Sequence, residues 1–258
     1  MWVARKQNIR GKGMSVPETL IIAMLFLAAA ALYASVGHAG ASAYLAVMGL
    51  FSFAPDVMKP TALALNILVA AVATVKFYRA GLFSWSLFWP FAIASIPAAF
   101  IGGAMMLPTR WYQVVVGIVL LYAAGWMFRS ARRPLTAAAH PPPLWAAIAT
   151  GLVIGFLSGL TGVGGGIFLS PLILYLGWAE TRATSGVAAP FILVNSVAGL
   201  LGHFSSVSQL PPNIPIWGAA AVLGGWIGAS YGSKRAPAPV LRQLLSLVLI
   251  VAGVKLIL

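Results

Sequence analysis

Cysteine is absent from the 258 residues, which excludes disulfides, thiolate catalysis, zinc–thiolate sites and iron–sulfur clusters. Acid is nearly absent as well: Glu18, Asp56 and Glu180 are the only carboxylate side chains. All charged residues together make up 7% of the chain, against about 25% in a soluble domain. With 61% apolar residues and a mean hydropathy of +0.97 there is no polar shell, so a water-soluble globule is excluded. The sixteen Lys and Arg give a formal net charge of +13. Charges this sparse read as loops facing an anionic leaflet and not as a nucleic-acid footprint. The bilayer is therefore an expected partner, nucleic acid is not, and no cofactor is expected.

What is present is a series of long apolar runs. A spanning helix needs about 20 apolar residues, and the first half offers runs near 17–36, 41–54, 60–78, 84–107 and 111–128. A basic, proline-rich stretch over 129–143 follows, and the second half offers runs near 144–161, 166–178, 184–204, 214–231 and 238–258. The order of lengths repeats: long, short, long, long, long. Individual residues repeat with it. Gly37-His38-Ala39-Gly40-Ala41 stands where Gly162-Val163-Gly164-Gly165-Gly166 stands, Asn66 matches Asn195, and Ile101-Gly102 matches Ile227-Gly228. The expected organisation is a basic N-terminal segment 1–16, a first transmembrane repeat 17–128, a linker 129–143 and a second repeat 144–258. Basic residues ahead of the run at 20–32 also fit a cleaved signal, but that run recurs as part of the repeat, which favours a retained helix.

The short second run of each half carries the mechanistic content. At 14 and 13 residues, each spans only about 20 Å as a helix, short of a core of roughly 30 Å. A glycine-led break inside the membrane is tolerated only where it is buried in protein or lines a cavity, and a matched pair of such breaks points to a binding site. Counting basic loop residues, re-entrant short segments with both termini inside place ten of the sixteen in the cytoplasm. The expected fold is thus an all-α polytopic membrane protein of two homologous halves, about eight spanning helices plus two half-helices. The alternative is a five-plus-five inverted repeat with the N-terminus outside, which keeps nine basic residues inside.

The most specific string is Ser158-Gly159-Leu160-Thr161-Gly162-Val163-Gly164-Gly165-Gly166-Ile167-Phe168-Leu169-Ser170-Pro171. On this motif the chain resembles the TauE/SafE sulfite exporter family of bacterial membrane transporters. The first-half copy, 34–45, is degenerate: His38 replaces Val, Ala39 and Ala41 replace Gly, and Ala46 stands where Pro would be. The resemblance implies a multi-pass inner-membrane transporter of small anions such as sulfite, sulfonates or sulfoacetate.

The physics under the motif stands by itself. Successive glycines at positive φ let N–H groups turn inward as an anion-binding concavity, and a helix N-terminus adds its unpaired donors and dipole. The candidate substrate-binding residues are Gly37, His38, Gly40, Ser42, Asn66, Ser158, Thr161, Gly162, Gly164, Gly165, Gly166, Ser170 and Asn195. Close helix packing is the competing use of the glycines. Interhelical hydrogen bonding competes for the two asparagines, and bonding to the helix's own carbonyls competes for the hydroxyls. His38 is the one titratable group expected inside the membrane. His203 reads as an interfacial or capping residue, and Trp85, Trp89, Trp111, Trp178 and Trp217 read as an interfacial belt. The three acids fall at segment ends, so no carboxylate relay for protons or Na⁺ is expected, and export driven by the membrane potential follows as the simplest mechanism.

Two other functional classes compete with this reading. An intramembrane serine hydrolase would use Ser158 with His203 as base, but Gly155-Phe156-Leu157-Ser158-Gly159 lacks assignable oxyanion donors. A non-transporting scaffold or maturation factor would need longer loops than these. The chain is therefore expected to be no enzyme. A homodimer is compatible with the sequence, though no segment marks an interface.

Overall fold

Helix starts are written locally. Ser15 and Glu18 form a reciprocal capping box ahead of α1 (Val16–Ala34), with Pro17 in the first turn. Pro55 opens α3 (Pro55–Arg79) and Ser84 caps α4 (Trp85–Ala104). The computed structural model describes residues 14–130, 140–203, 210–234, 247, 249–251 and 253–258. Among them nine helices are continuous: α1, α2 (Ala41–Leu50), α3, α4, α5 (Thr109–Ser130), α6 (Leu144–Thr161), α7 (Gly166–Tyr175), α8 (Thr181–Gly202) and α9 (Ile214–Gly232). Residues 249–251 and 253–257 are helical too, and no strand occurs among the described residues. Most of the N-terminal segment 1–16, most of the linker 129–143, Arg235 and Arg242 lie outside the described residues.

The protein is an all-α polytopic membrane protein. Six helices, α1, α3, α4, α6, α8 and α9, are long and apolar enough to span. The two glycine-led segments are short helices of 10 residues each, about 15 Å long at 1.5 Å per residue.

Glycine stripes show how the long helices pair and which way they run. Gly151, Gly155 and Gly159 of α6 lie on the backbone carbonyls of Phe91, Ser95 and Ala99 of α4. Gly224, Gly228 and Gly232 of α9 lie in the same manner on Leu27, Ala31 and Ser35 at the α1 face. In both pairs the numbers rise together, so the helices are parallel, and small residues every fourth position let the backbones touch. Replacing Gly228 by Ala puts a Cβ into the Ala31 carbonyl. The expected loss is about 1–3 kcal/mol, read as a lower Tm. Gly125→Ala, where no described residue lies within 4 Å, is expected to leave Tm unchanged or raise it.

These directions select between the two topologies the sequence leaves open. Beyond α2, Phe53 packs on Trp217, whose indole N–H donates to the Thr19 carbonyl at the start of α1. The chain has come back to the end from which α1 set out. Beyond α7, the Gly177 carbonyl accepts from His140 N–H, at the start of α6. Gly162, at the end of α6, meets Lys59 near the start of α3, so α1 and α6 run in opposite senses. The directions of the described helices match the five-plus-five alternative, because each 10-residue helix returns the chain to the end from which the preceding long helix set out.

Burial corrects two expectations about aromatics. Trp217 is fully buried between Phe26 and Phe53, and Trp178 is 8% exposed, so neither belongs to an interfacial belt. Trp85, Trp89 and Trp111 do face outward.

Candidate functional site

Both glycine breaks end in the same place. Gly40 (φ +102) is the N-cap of α2 and Gly165 (φ +82) the N-cap of α7, and neither helix carries a side-chain cap. A side chain at such φ costs about 1–2 kcal/mol, which accounts for glycine at both starts. The uncapped N-termini leave first-turn N–H groups and two positive dipole ends, together worth about one unit charge. A small cavity lies where they meet, lined by Tyr33, His38, Gly40, Ser42, Val163, Ile167 and Ile192 among others. Its volume of about 10 Å³ is room for one water.

Polar groups around the cavity tie the two breaks together. His38 Nε2 lies 3.0 Å from the Gly166 carbonyl and Nδ1 3.2 Å from the Val36 carbonyl. Tyr33 and Ser42 share a hydrogen bond of 2.6 Å. One hydroxyl proton is used in it, and the other remains to be donated. The Tyr44 hydroxyl donates to the Ala39 carbonyl at 2.7 Å, which holds the first break. Asn66, buried in α3, donates to the Val163 carbonyl at 3.1 Å and to Ser196 at 3.4 Å, which holds the second. Gly164 is pressed against that amide, while Gly165 faces Phe191 and the Ser158 side chain.

The remaining candidates are placed elsewhere. Gly37 and Gly162 are left-handed but pack on the backbones of Ser185 and Lys59. Thr161 donates to its own helix at Leu157, and the Asn195 amide does the same at Phe191. Ser158 and Ser170 are buried, and their hydroxyls have no partner among the described residues. His203 closes α8 through its backbone N–H and is buried beside Lys59, not interfacial.

Sequence reasoning passed over Tyr33, Tyr44, Ser196 and Lys59. Lys59 reads as a loop residue ahead of an apolar run at 60. In the structure it is 4% exposed, with Nζ donating to the carbonyls of Gly102 (3.3 Å), Gly103 (2.8 Å) and Met105 (3.1 Å). The available signal was Pro55, a favoured first helical residue, which starts α3 one turn early and draws Lys59 inside. The acids stay clear of the cavity: Glu18 serves its capping box, Asp56 lies in the first turn of α3 and Glu180 is the N-cap of α8.

The family model described as "Sulfite exporter TauE/SafE" matches residues 21–256. The chain belongs to the TauE/SafE family. It is 45% identical over 243 residues to a probable membrane transporter protein, y4hK, of Sinorhizobium fredii, covering 93% of this chain and 98% of the relative. It is 25% identical over 218 residues to the probable membrane transporter protein YunE of Bacillus subtilis, covering 74% and 75%. No solved structure matches. This TauE/SafE protein is a multi-pass transporter of the bacterial inner membrane and not an enzyme.

Proposed function

We propose that the protein exports a small oxyanion of the sulfite or sulfonate type, bound where the two uncapped helix starts meet. The convergence of the N-termini of α2 and α7 on one cavity, with every acid elsewhere, carries this reading. Donors of the right kind surround it: first-turn N–H groups and the spare proton of the Tyr33–Ser42 pair, with the His38 ring in the cavity wall. Among the described residues no Lys or Arg lines the cavity, so the anion is held by dipoles and N–H groups and leaves again readily. The description of the family supports sulfur oxyanions as the class of cargo.

A cavity of this size holds no oxyanion, so loading requires one end of the bundle to open, and transport proceeds by alternating access. In the five-plus-five arrangement the end carrying Lys76, Arg79, Arg182 and Lys234 faces the cytoplasm under the positive-inside rule. An anion leaving through an inside-negative membrane gains about 2.3 kcal/mol per charge per 100 mV, roughly a 50-fold gradient. In proteoliposomes an imposed inside-negative potential is therefore expected to drive efflux of labelled sulfonate. Efflux unchanged when the potential is clamped to zero would refute the driving force. Thermal stabilisation of purified protein by sulfite, alkyl sulfonates or short carboxylates tests the site directly, with about 2.7 kcal/mol expected at 100 times Kd. Absence of stabilisation by every anion would remove the site.

A further inference from the structure

Two cations outside the anion site occupy matching places at opposite ends of the bundle. At one end Lys59, in the first turns of α3, gives its Nζ to three C-terminal carbonyls of α4. Gly162, which ends α6 at φ +83, packs on the Lys59 backbone. At the other end Arg182, the second residue of α8, donates Nη2 to the Ser233 carbonyl at 3.0 Å, where α9 ends. Gly37, which follows the end of α1 at φ +79, packs there on the Ser185 backbone in the first turns of α8.

Each end thus has the same parts. A left-handed glycine closes the first helix of one half. The start of the third helix of the other half lies against it and carries a cation. The carbonyls at the end of the fourth helix take that cation's N–H groups, and the negative end of the helix dipole adds to the attraction. A lysine withdrawn into a membrane bundle is costly to keep and marks a functional element.

We propose that Lys59 and Arg182 are paired gate latches. Each ties the start of a third helix to the end of the fourth and so closes one end of the bundle over the break that leads to the cavity. Release of one latch opens the cavity to that end while the other holds. Among the described residues the latches are unequal: Lys59 is buried with three bonds, whereas Arg182 is exposed with one. The Arg182 end therefore opens first. The inference rests on the transport reading but not on the identity of the cargo.

The chain's lack of cysteine makes the test direct. A Ser42→Cys substitution places one thiol in the cavity, and a membrane-impermeant maleimide is applied to sealed vesicles of either orientation without any anion. Otherwise unaltered protein is expected to label faster from the Arg182 end. Arg182→Gln is expected to raise labelling from that end alone, and Lys59→Gln from the opposite end alone, each by about tenfold for the loss of charge-assisted bonds. Lys59→Arg, which keeps the charge in the socket, is expected to stay near the unaltered rate. A second thiol at Ala73, fully buried in α3, reports unfolding. If Lys59→Gln exposes Ala73→Cys, the surface substitution Arg182→Gln decides alone. Acceleration from both ends with Ala73→Cys protected, or none in Arg182→Gln, overturns the assignment. Failure of the anion site would leave these rates untouched, so the two ideas fall separately.

Discussion

Substituting His38 by glutamine is expected to cut sulfonate transport by about tenfold, the loss of one of the ring contacts that join the first break to the second. Both ring nitrogens face carbonyl oxygens, Nδ1 that of Val36 and Nε2 that of Gly166. A neutral imidazole has one N–H, so the ring donates to one of these carbonyls at a time. Glutamine offers an amide donor to one carbonyl but not the ring that forms part of the cavity wall. Thermal stabilisation by an alkyl sulfonate reports binding, and equal stabilisation of His38→Gln and the unaltered protein would remove His38 from the site.

The length of each apolar run was legible because burial in a bilayer demands apolar side chains whatever the helix packs against. The expected runs 17–36, 144–161 and 214–231 meet α1, α6 and α9 to within about two residues, the usual uncertainty of helix ends. The two breaks were legible for a different reason. Glycines just ahead of short apolar runs leave few other roles, and Gly40 and Gly165 are left-handed N-caps as that pattern requires. Helix direction was not legible, because hydropathy is the same read from either end. It emerged from which carbonyl each stripe glycine touches. Asn195 was matched to Asn66 by position, yet its amide bonds its own helix while Asn66 reaches across to the second break. Position in a repeat fixes a backbone site and not which neighbour a side chain meets. Trp217 misled because closeness to a segment end resembles closeness to water. Phe26 and Phe53 cover it instead.

Gly164→Ala is expected to have the largest effect of any single methyl added at the site. The residue has φ +83, a strained setting for an L side chain, and its Cβ would meet the Asn66 amide nitrogen, then Ile192 at 2.9 Å and Ser196 Oγ at 3.0 Å. Asn66 and Ser196 are fully buried and Ile192 nearly so, and only Ile192 borders the small cavity, so the amide has nowhere to withdraw. Relief requires the amide to abandon the Val163 carbonyl and Ser196 together. Left-handed strain of about 1–2 kcal/mol and a buried amide stripped of its partners, about 1–3 kcal/mol, sum to roughly 2–5 kcal/mol. Gly162→Ala has the same φ but meets the Lys59 backbone only at 3.2 Å, so it should suffer the strain with little of the rest. Adding Asn66→Ala to Gly164→Ala removes the colliding amide and should recover stability, a coupling of about 1 kcal/mol or more in a double-mutant cycle of Tm or denaturant midpoints. Strict additivity would mean that the amide does not clamp the break. A clamp made of one neutral amide holds the second break in shape without adding charge, so the charge the anion meets comes from the helix starts.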